Sequence, residues 1–112
     1  MEIRFVESGS SDVRVSQLDK FFEVGTIDIL DTDATEYIVT PLVEEGDSKP
    51  FVVTVNETHD YPLQAGEDHN LYNGSFTVHA KALERNATVT YRLLVRAAEA
   101  STGEEITFTV RS

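Results

Sequence analysis

Histidines and carboxylates are the side chains of this sequence whose types could support catalysis or metal binding. The chain has three histidines and no cysteine. His59 and His69 each stand beside an aspartate, Asp60 and Asp68, and imidazole with carboxylate is a donor set that zinc and other transition metals accept. We favour the simpler interpretation, in which both are solvated histidines of a surface loop, and we place His79 on the solvent face of a strand.

A second candidate is an acidic cluster that begins at Asp28. Asp31, Asp33 and Glu36 follow the order Asp-x-Asp and then Glu, which offers the oxygen ligands that Ca²⁺ takes in turns. The full calcium-loop pattern of EF-hands is absent, so the favoured interpretation is a solvated acidic turn. Asp31, Asp33 and Glu36 are therefore the calcium candidates, and no other metal or cofactor is expected.

The sequence contains no recognisable arrangement for covalent or phosphate chemistry. There is no thiol, no Gly-x-Ser-x-Gly nucleophile elbow and no glycine-rich phosphate loop. No two side chains that could act as a general acid and a general base are accompanied by recognisable residues that would position them. We expect a binding or structural protein with no catalytic residues.

Three of the four asparagines, Asn56, Asn73 and Asn86, begin Asn-x-Ser/Thr sequons. This excess favours an exported protein. The opposing interpretation is that threonine is common in strands and asparagine in turns. The N-terminus supports the second view, because it has neither the basic head nor the apolar run of a secretory signal. Glycosylation at the three sites stays open.

Apolar and polar residues alternate nearly from one end of the chain to the other, which indicates β-strands. Strands must therefore position all of these candidate residues. Turn residues separate the runs, and no segment has a helical period. This pattern predicts an all-β, antiparallel two-sheet sandwich of seven to eight strands, in one domain over residues 1–112. The alternating runs are 3–5, 13–15, 22–29, 37–39, 51–55, 76–82, 89–97 and 106–110.

Four local features refine this prediction. Gly25 breaks the phase of the third strand, which indicates a β-bulge. Pro41 should end the fourth strand, and His59–Tyr72 should be a surface loop. The first strand, Glu2–Glu7, precedes a flexible turn at Ser8–Ser11 and could swing out to pair with a neighbouring subunit.

The C-terminal third resembles the last two strands of a fibronectin type III or related immunoglobulin-like domain. The resemblance rests on Tyr91–Ala97, then Gly103 in a hairpin, then the alternating run Ile106–Val110. It implies an immunoglobulin-like sandwich in which the Tyr91 hydroxyl bonds back to the preceding loop and Leu83 packs in the same corner. The family's tryptophan and its proline-led first strand are absent. A likeness of fold implies no particular function.

The charge balance narrows the possible partners. The chain carries 20 acidic and 9 basic residues, a formal net charge of −11, which argues against nucleic acid and against anionic membranes. Lysine is scarce, with only Lys20, Lys49 and Lys81. Such a surface suits concentrated salt, where charge is screened over a few ångströms. An ordinary acidic protein explains it equally well, and both interpretations stay open.

Our leading functional hypothesis is a structural protein of a virion. It would be a capsid decoration or tail protein of a tailed virus, and a halophilic host is one option for that virus. Its partners would be the major capsid protein or tail subunits, and it would form a homo-oligomer. The alternative is an extracellular, cell-surface adhesion or carbohydrate-binding module with immunoglobulin-like fold, for which Tyr61 and Tyr72 are the candidate sugar-stacking residues. A protease inhibitor that presents loops from such a scaffold is a third option.

Overall fold

A computed structural model describes residues 2–6, 12–30, 34–45, 50–55, 66–72 and 74–112. Within these residues the chain forms nine β-strands and no helix, so no described helix is long and apolar enough to cross a membrane. The strands are β1 (Glu2–Val6), β2 (Asp12–Arg14), β3 (Phe21–Leu30), β4 (Tyr37–Glu45), β5 (Phe51–Val55), β6 (His69–Leu71), β7 (Ser75–Ala82), β8 (Thr88–Ala97) and β9 (Glu104–Arg111).

The strands form two sheets. Sheet A has the order β1-β3-β7-β5, and sheet B has the order β2-β9-β8-β4-β6. In the described part of the chain, every neighbouring pair is antiparallel except β2 and β9, which are parallel. The predicted antiparallel two-sheet sandwich is therefore confirmed.

Alternation along the strands creates the core. In β7 and β8, every second side chain is buried, from Phe76 to Ala82 and from Val89 to Val95. Successive side chains of a strand point to opposite faces, so these apolar residues meet between the sheets. Phe76 and Phe108 are the largest fully buried side chains, and burying each one stabilises the fold by about 1.5–3 kcal/mol.

Two β-bulges shift the register of long strands. The pairing of β3 with β7 shifts between Glu23 and Gly25, which confirms the bulge predicted at Gly25. The prediction that Pro41 ends the fourth strand is wrong, because β4 continues to Glu45 through a second shift between Pro41 and Val43. Proline lacks the N–H that a regular ladder needs, and a bulge is one of the places in a sheet that accommodate it.

The loop predicted at His59–Tyr72 contains a strand at its C-terminal end. His69–Leu71 forms β6 and pairs with Tyr37–Val39 of β4, and Leu71 is buried. Leu71 is the one apolar residue of β6, so this strand has no alternation of apolar and polar residues that a sequence pattern could show. The N-terminal part of that segment, residues 56–65, lies outside the described residues.

The chain crosses between the sheets after β2. The Val15 N–H donates to the Arg111 carbonyl at 2.6 Å, which extends the pairing in sheet B. Leu18 then forms a bridge with Ala82 of sheet A, and the Asp19 N–H donates to the Ala82 carbonyl at 2.8 Å.

Before this crossing, β1 pairs with β3 along its whole length. The Ser8–Ser11 hinge proposed for strand exchange lies outside the described residues.

Candidate interaction face and end clefts

The outward side of sheet B is a mainly polar surface built by β4, β8 and β9. Its members are the residues that alternate with the buried ones, so they project away from the core. Thr90 and Thr109 join their hydroxyls at 3.0 Å across β8 and β9. Leu94 and Ile38 are half-buried and lie among these polar neighbours. We call this surface the polar face; it comprises Ile38, Thr40, Thr90, Arg92, Leu94, Arg96, Thr107 and Thr109.

Three ion pairs lie on the same side of sheet B as the polar face. Arg92 contacts Glu105 at 2.9 Å, and Arg96 lies 3.9 Å from Asp68. A third pair, between Arg111 and Asp12, lies at the edge of the sheet. All the ion pairs found in the described part of the chain are on this side of the sandwich. The polar face is thus locally compensated in charge, although the whole chain carries −11.

The Arg111–Asp12 pair shifts the titration of both groups. The hydrogen bond from Arg111 lowers the pKa of Asp12 below its ordinary value. Lost hydration opposes this shift, and the charges of Arg111 and Arg14 reinforce it. The same hydrogen bond raises the pKa of Arg111. At neutral pH the pair is therefore fully ionised.

One end of the sandwich carries a cleft with two glutamates. It has a volume of about 260 Å³ and lies between the start of β4 and the turn after β8. Glu36 and Glu99 are its charged residues, and we call it the acidic cleft. The Tyr37 hydroxyl donates to the Ala34 carbonyl at 2.7 Å, and the Ala98 N–H donates to the Glu36 carbonyl at 3.0 Å. These two hydrogen bonds hold in place the segment before β4 and the turn after β8, which form the two walls of the cleft.

A second cleft, of about 230 Å³, is lined by the last residue of β2 and residues that follow it, by two residues that precede β8 and by Ser112. Arg14 and Arg85 are its charged lining residues, and we call it the basic cleft. The Ser112 hydroxyl donates to the Glu84 carbonyl at 2.6 Å and accepts from the Ala87 N–H at 3.1 Å. Ser112 thereby holds the β7–β8 turn against β9.

The calcium candidates are only partly covered by the structure. Asp31 and Asp33 lie outside the described residues, whereas Glu36 lines the acidic cleft. The Asn70 amide donates to Glu36 Oε1 at 2.8 Å. The described segments hold no group of three histidine, aspartate or glutamate side chains that could bind a metal ion. Calcium binding stays a prediction.

The histidines predicted as solvated occupy separate places. His59 lies outside the described residues, and His69 begins β6 with a half-buried side chain. His79 lies in β7 and pairs in register with Glu23 of β3 and Thr54 of β5, on the outward side of sheet A. It is half-buried, its Nδ1 atom is shielded from solvent and Thr54 is fully buried, so this outward position is not freely solvated as the sequence predicted. The structure therefore places His69 and His79 in different sheets.

Tyr91 is a core residue of sheet B. It is buried and its ring stacks on Phe108 with centroids 5.3 Å apart. The hydrogen bond that the family resemblance implies for its hydroxyl stays a prediction. Tyr37, at the start of β4, does make such a bond to a carbonyl three residues upstream. Leu83 lies in the turn after β7 and is 43% exposed, and its packing near Tyr91 stays a prediction.

Of the three sequons, the structure describes the asparagine at Asn86. Its side chain is exposed, and its backbone has a φ of 60°. Asparagine is among the few residues that adopt this left-handed conformation readily, so the turn itself accounts for an asparagine here. Asn56 and Asn73 lie outside the described residues.

Comparison with protein-family models, with curated proteins and with solved structures found no match to this chain. The polar face and both clefts were not predictable from the sequence because their residues come from distant segments. The basic cleft, for example, brings Arg14 of β2 beside Arg85 of the turn before β8. The parallel pairing of β2 with β9 leaves no signal in alternation, which is the same for either strand direction.

Proposed function

We propose that this chain is a non-catalytic structural protein that docks into a larger protein assembly through the polar face. The observation that carries the proposal is the compensation of charge on that face in a chain of net charge −11. Two acidic proteins repel each other unless they meet where charge is neutralised. Half-buried apolar side chains with polar groups around them also match the anatomy of protein interfaces.

The setting that we propose is the exterior of a virion, as a capsid decoration or tail protein of a tailed virus. An immunoglobulin-like sandwich is the fold that we propose for it. The strand orders support this assignment, because β1-β3-β7-β5 against β9-β8-β4 corresponds to the two sheets of an immunoglobulin constant-type domain. The viral setting rests on analogy of fold and context. The acidic surface suits a halophilic host.

Salt concentration provides a direct test of docking through the polar face. Molar salt shortens the screening length to about 3 Å, which removes the repulsion between chains, and excluded salts strengthen apolar contacts. We therefore expect self-association, or binding to purified virus particles, to increase from about 0.1 M to about 3 M NaCl. Sedimentation velocity measures the former, and co-sedimentation with particles measures the latter.

Two matched variants locate the contact. Leu94→Glu places a charge at the centre of the polar face, while Val52→Glu places one at a half-buried outward position of sheet A. We expect Leu94→Glu to stay monomeric and unbound in molar salt and Val52→Glu to behave like the wild type. Circular dichroism verifies that both fold. A wild-type chain that remains monomeric at every salt concentration and binds no particles would refute the proposal.

An adhesion or carbohydrate-binding module is the second candidate, and one observation favours it. Tyr72 follows β6 with its side chain 71% exposed, and an exposed tyrosine ring can stack on the apolar face of a sugar. Tyr61 lies outside the described residues. A glycan array with the wild type and Tyr72→Ala decides this point: sugar binding that the substitution abolishes would favour this function over assembly.

A further inference from the structure

The basic cleft is unusual for a chain with so few cations. Arg14 and Arg85 account for two of the nine lysines and arginines, and among the described residues no aspartate or glutamate lines the cleft beside them. Among the described residues neither arginine forms an ion pair. Val15 and Leu18 supply an apolar part of the wall. Two guanidinium groups without an ion-pair partner in the described part of the chain therefore lie beside this cleft, and each can bind a carboxylate through two parallel hydrogen bonds.

The acidic cleft lies at the other end of the molecule. Arg85 and Asn86 of the basic cleft precede β8, whereas Ala97 of the acidic cleft ends β8, and Ala98 and Glu99 follow it. A strand of ten residues spans roughly 33 Å, and the longest dimension of the molecule is 41 Å. The two clefts therefore face away from each other along the length of the sandwich.

We propose that copies of this chain associate end to end, with the carboxylates of Glu36 and Glu99 of one copy bound at the basic cleft of the next. This inference rests on the proposed structural function and names a second contact besides the polar face. The two clefts are complementary in charge, and they belong to different surfaces of the same chain. Such a contact is heterologous, so it closes into a ring or continues as a filament.

Salt affects this contact differently from docking through the polar face. At about 0.01 M salt the screening length is roughly 30 Å, so the net charges of two copies repel across the whole molecule. At about 0.15 M it is roughly 8 Å, which screens distant charges but leaves those at the contact attractive. In molar salt the contact itself is screened. End-to-end association therefore peaks near about 0.15 M and declines on both sides.

Charge reversal at each end provides the decisive experiment. Variant one carries Arg14→Glu and Arg85→Glu, so that both ends are acidic; variant two carries Glu36→Arg and Glu99→Arg, so that both ends are basic. At about 0.15 M salt the wild type should associate with a dissociation constant on the order of 0.1–1 mM. Each variant alone should associate at least tenfold more weakly. An equimolar mixture should associate again, with the two variants alternating.

Two controls change the net charge equally at other places. Lys20→Glu with Lys81→Glu matches variant one, and Glu23→Arg with Glu67→Arg matches variant two. Both controls should associate at about 0.15 M salt like the wild type. Sedimentation equilibrium measures every sample, and circular dichroism verifies folding before the comparison.

The outcomes separate this inference from the proposed function. A wild type that is monomeric at about 0.15 M salt and millimolar concentration overturns the end-to-end contact, as does a mixture of variants that fails to reassociate. Assembly in molar salt that Leu94→Glu abolishes supports the polar face whether or not the end-to-end contact exists. Conversely, reassociation of the mixture supports the end-to-end contact even where Leu94→Glu has no effect.

Discussion

The Nε atom of Arg111 lies 2.8 and 3.0 Å from the two carboxylate oxygens of Asp12. This pair joins β2 to β9, the parallel pair of the described sheets. Both side chains are more than 40% exposed, so water screens their attraction and the pair contributes little to stability. The pair is useful as a probe, because it reports whether β2 is docked on β9.

The first prediction concerns the pH dependence of this pair. Arg111 lowers the pKa of Asp12 in the folded chain, so the pair stabilises the fold above the unfolded pKa of about 3.9. That contribution diminishes as the pH falls from there through the folded pKa. The melting temperature of the wild type should exceed that of Asp12→Asn at neutral pH, and the difference should vanish in strong acid.

Thermal unfolding from pH 7 to about pH 2 measures this difference. Glu84→Gln is the control, because among the described residues the Glu84 side chain forms no ion pair. The same difference should also shrink in about 1 M NaCl. An Asp12 carboxyl that titrates by NMR at or above about 3.9 would contradict the assignment.

The second prediction compares two tyrosines. The Tyr37 hydroxyl donates to the Ala34 carbonyl at 2.7 Å from a buried ring, so Tyr37→Phe should destabilise the fold by about 1 kcal/mol. Tyr91→Phe should have a similar effect if its hydroxyl bonds as the immunoglobulin-like resemblance implies. Urea denaturation measures both. An unchanged midpoint for Tyr91→Phe would remove Tyr91 from the hydroxyl-bonding role and leave it as a stacking partner of Phe108.

Long alternating strands were predictable from sequence because their pattern repeats. Ser75–Ala82 places an apolar residue inward four times, and a slip by one residue would turn all four to the solvent. Gly25 was informative for the same reason, since it interrupts a pattern that is otherwise regular. The fold class therefore follows from the burial of alternate side chains alone.

Contacts between distant segments were not predictable in this way. Pro41 indicated the end of a strand, but a bulge accommodates it and β4 continues. Leu83 is apolar, yet it lies in a turn beyond the sandwich and is exposed. Arg14 and Arg85 line the same cleft because of the order in which the strands are arranged. Alternation carries no information about strand order. The candidate sites therefore required the three-dimensional structure.

The third prediction concerns Asp68, which links three strands. Its Oδ1 accepts from the Thr40 hydroxyl of β4 at 2.6 Å, and its Oδ2 lies 3.9 Å from Arg96 of β8. Asp68 immediately precedes β6, so Asp68→Ala should free β6 to open locally. Hydrogen exchange should accelerate at Leu71 and remain unchanged at Val78 in sheet A.

Asp68→Asn separates the two contacts of this residue. The amide oxygen can still accept from Thr40, whereas the charge opposite Arg96 is lost. Because that ion pair is long and partly exposed, exchange at Leu71 should stay close to the wild-type rate in Asp68→Asn. Equal acceleration in both variants would show that the charge, and not the hydrogen bond, holds β6.

The last prediction concerns Gly103, which precedes β9 in the β8–β9 hairpin. An ideal Cβ built there lies 2.8 Å from Arg96 Cβ and 2.9 Å from the Val95 carbonyl carbon, so a methyl group has no room unless the hairpin moves. Gly103→Ala should destabilise the fold by about 1–3 kcal/mol, the usual cost of overpacking. Gly74→Ala is the control, because its nearest neighbour would be the Ile29 carbonyl oxygen at 3.5 Å, and it should change stability by no more than about 0.5 kcal/mol. Urea denaturation compares the two, and equal midpoints would mean that the hairpin relaxes around the added methyl group at no measurable cost.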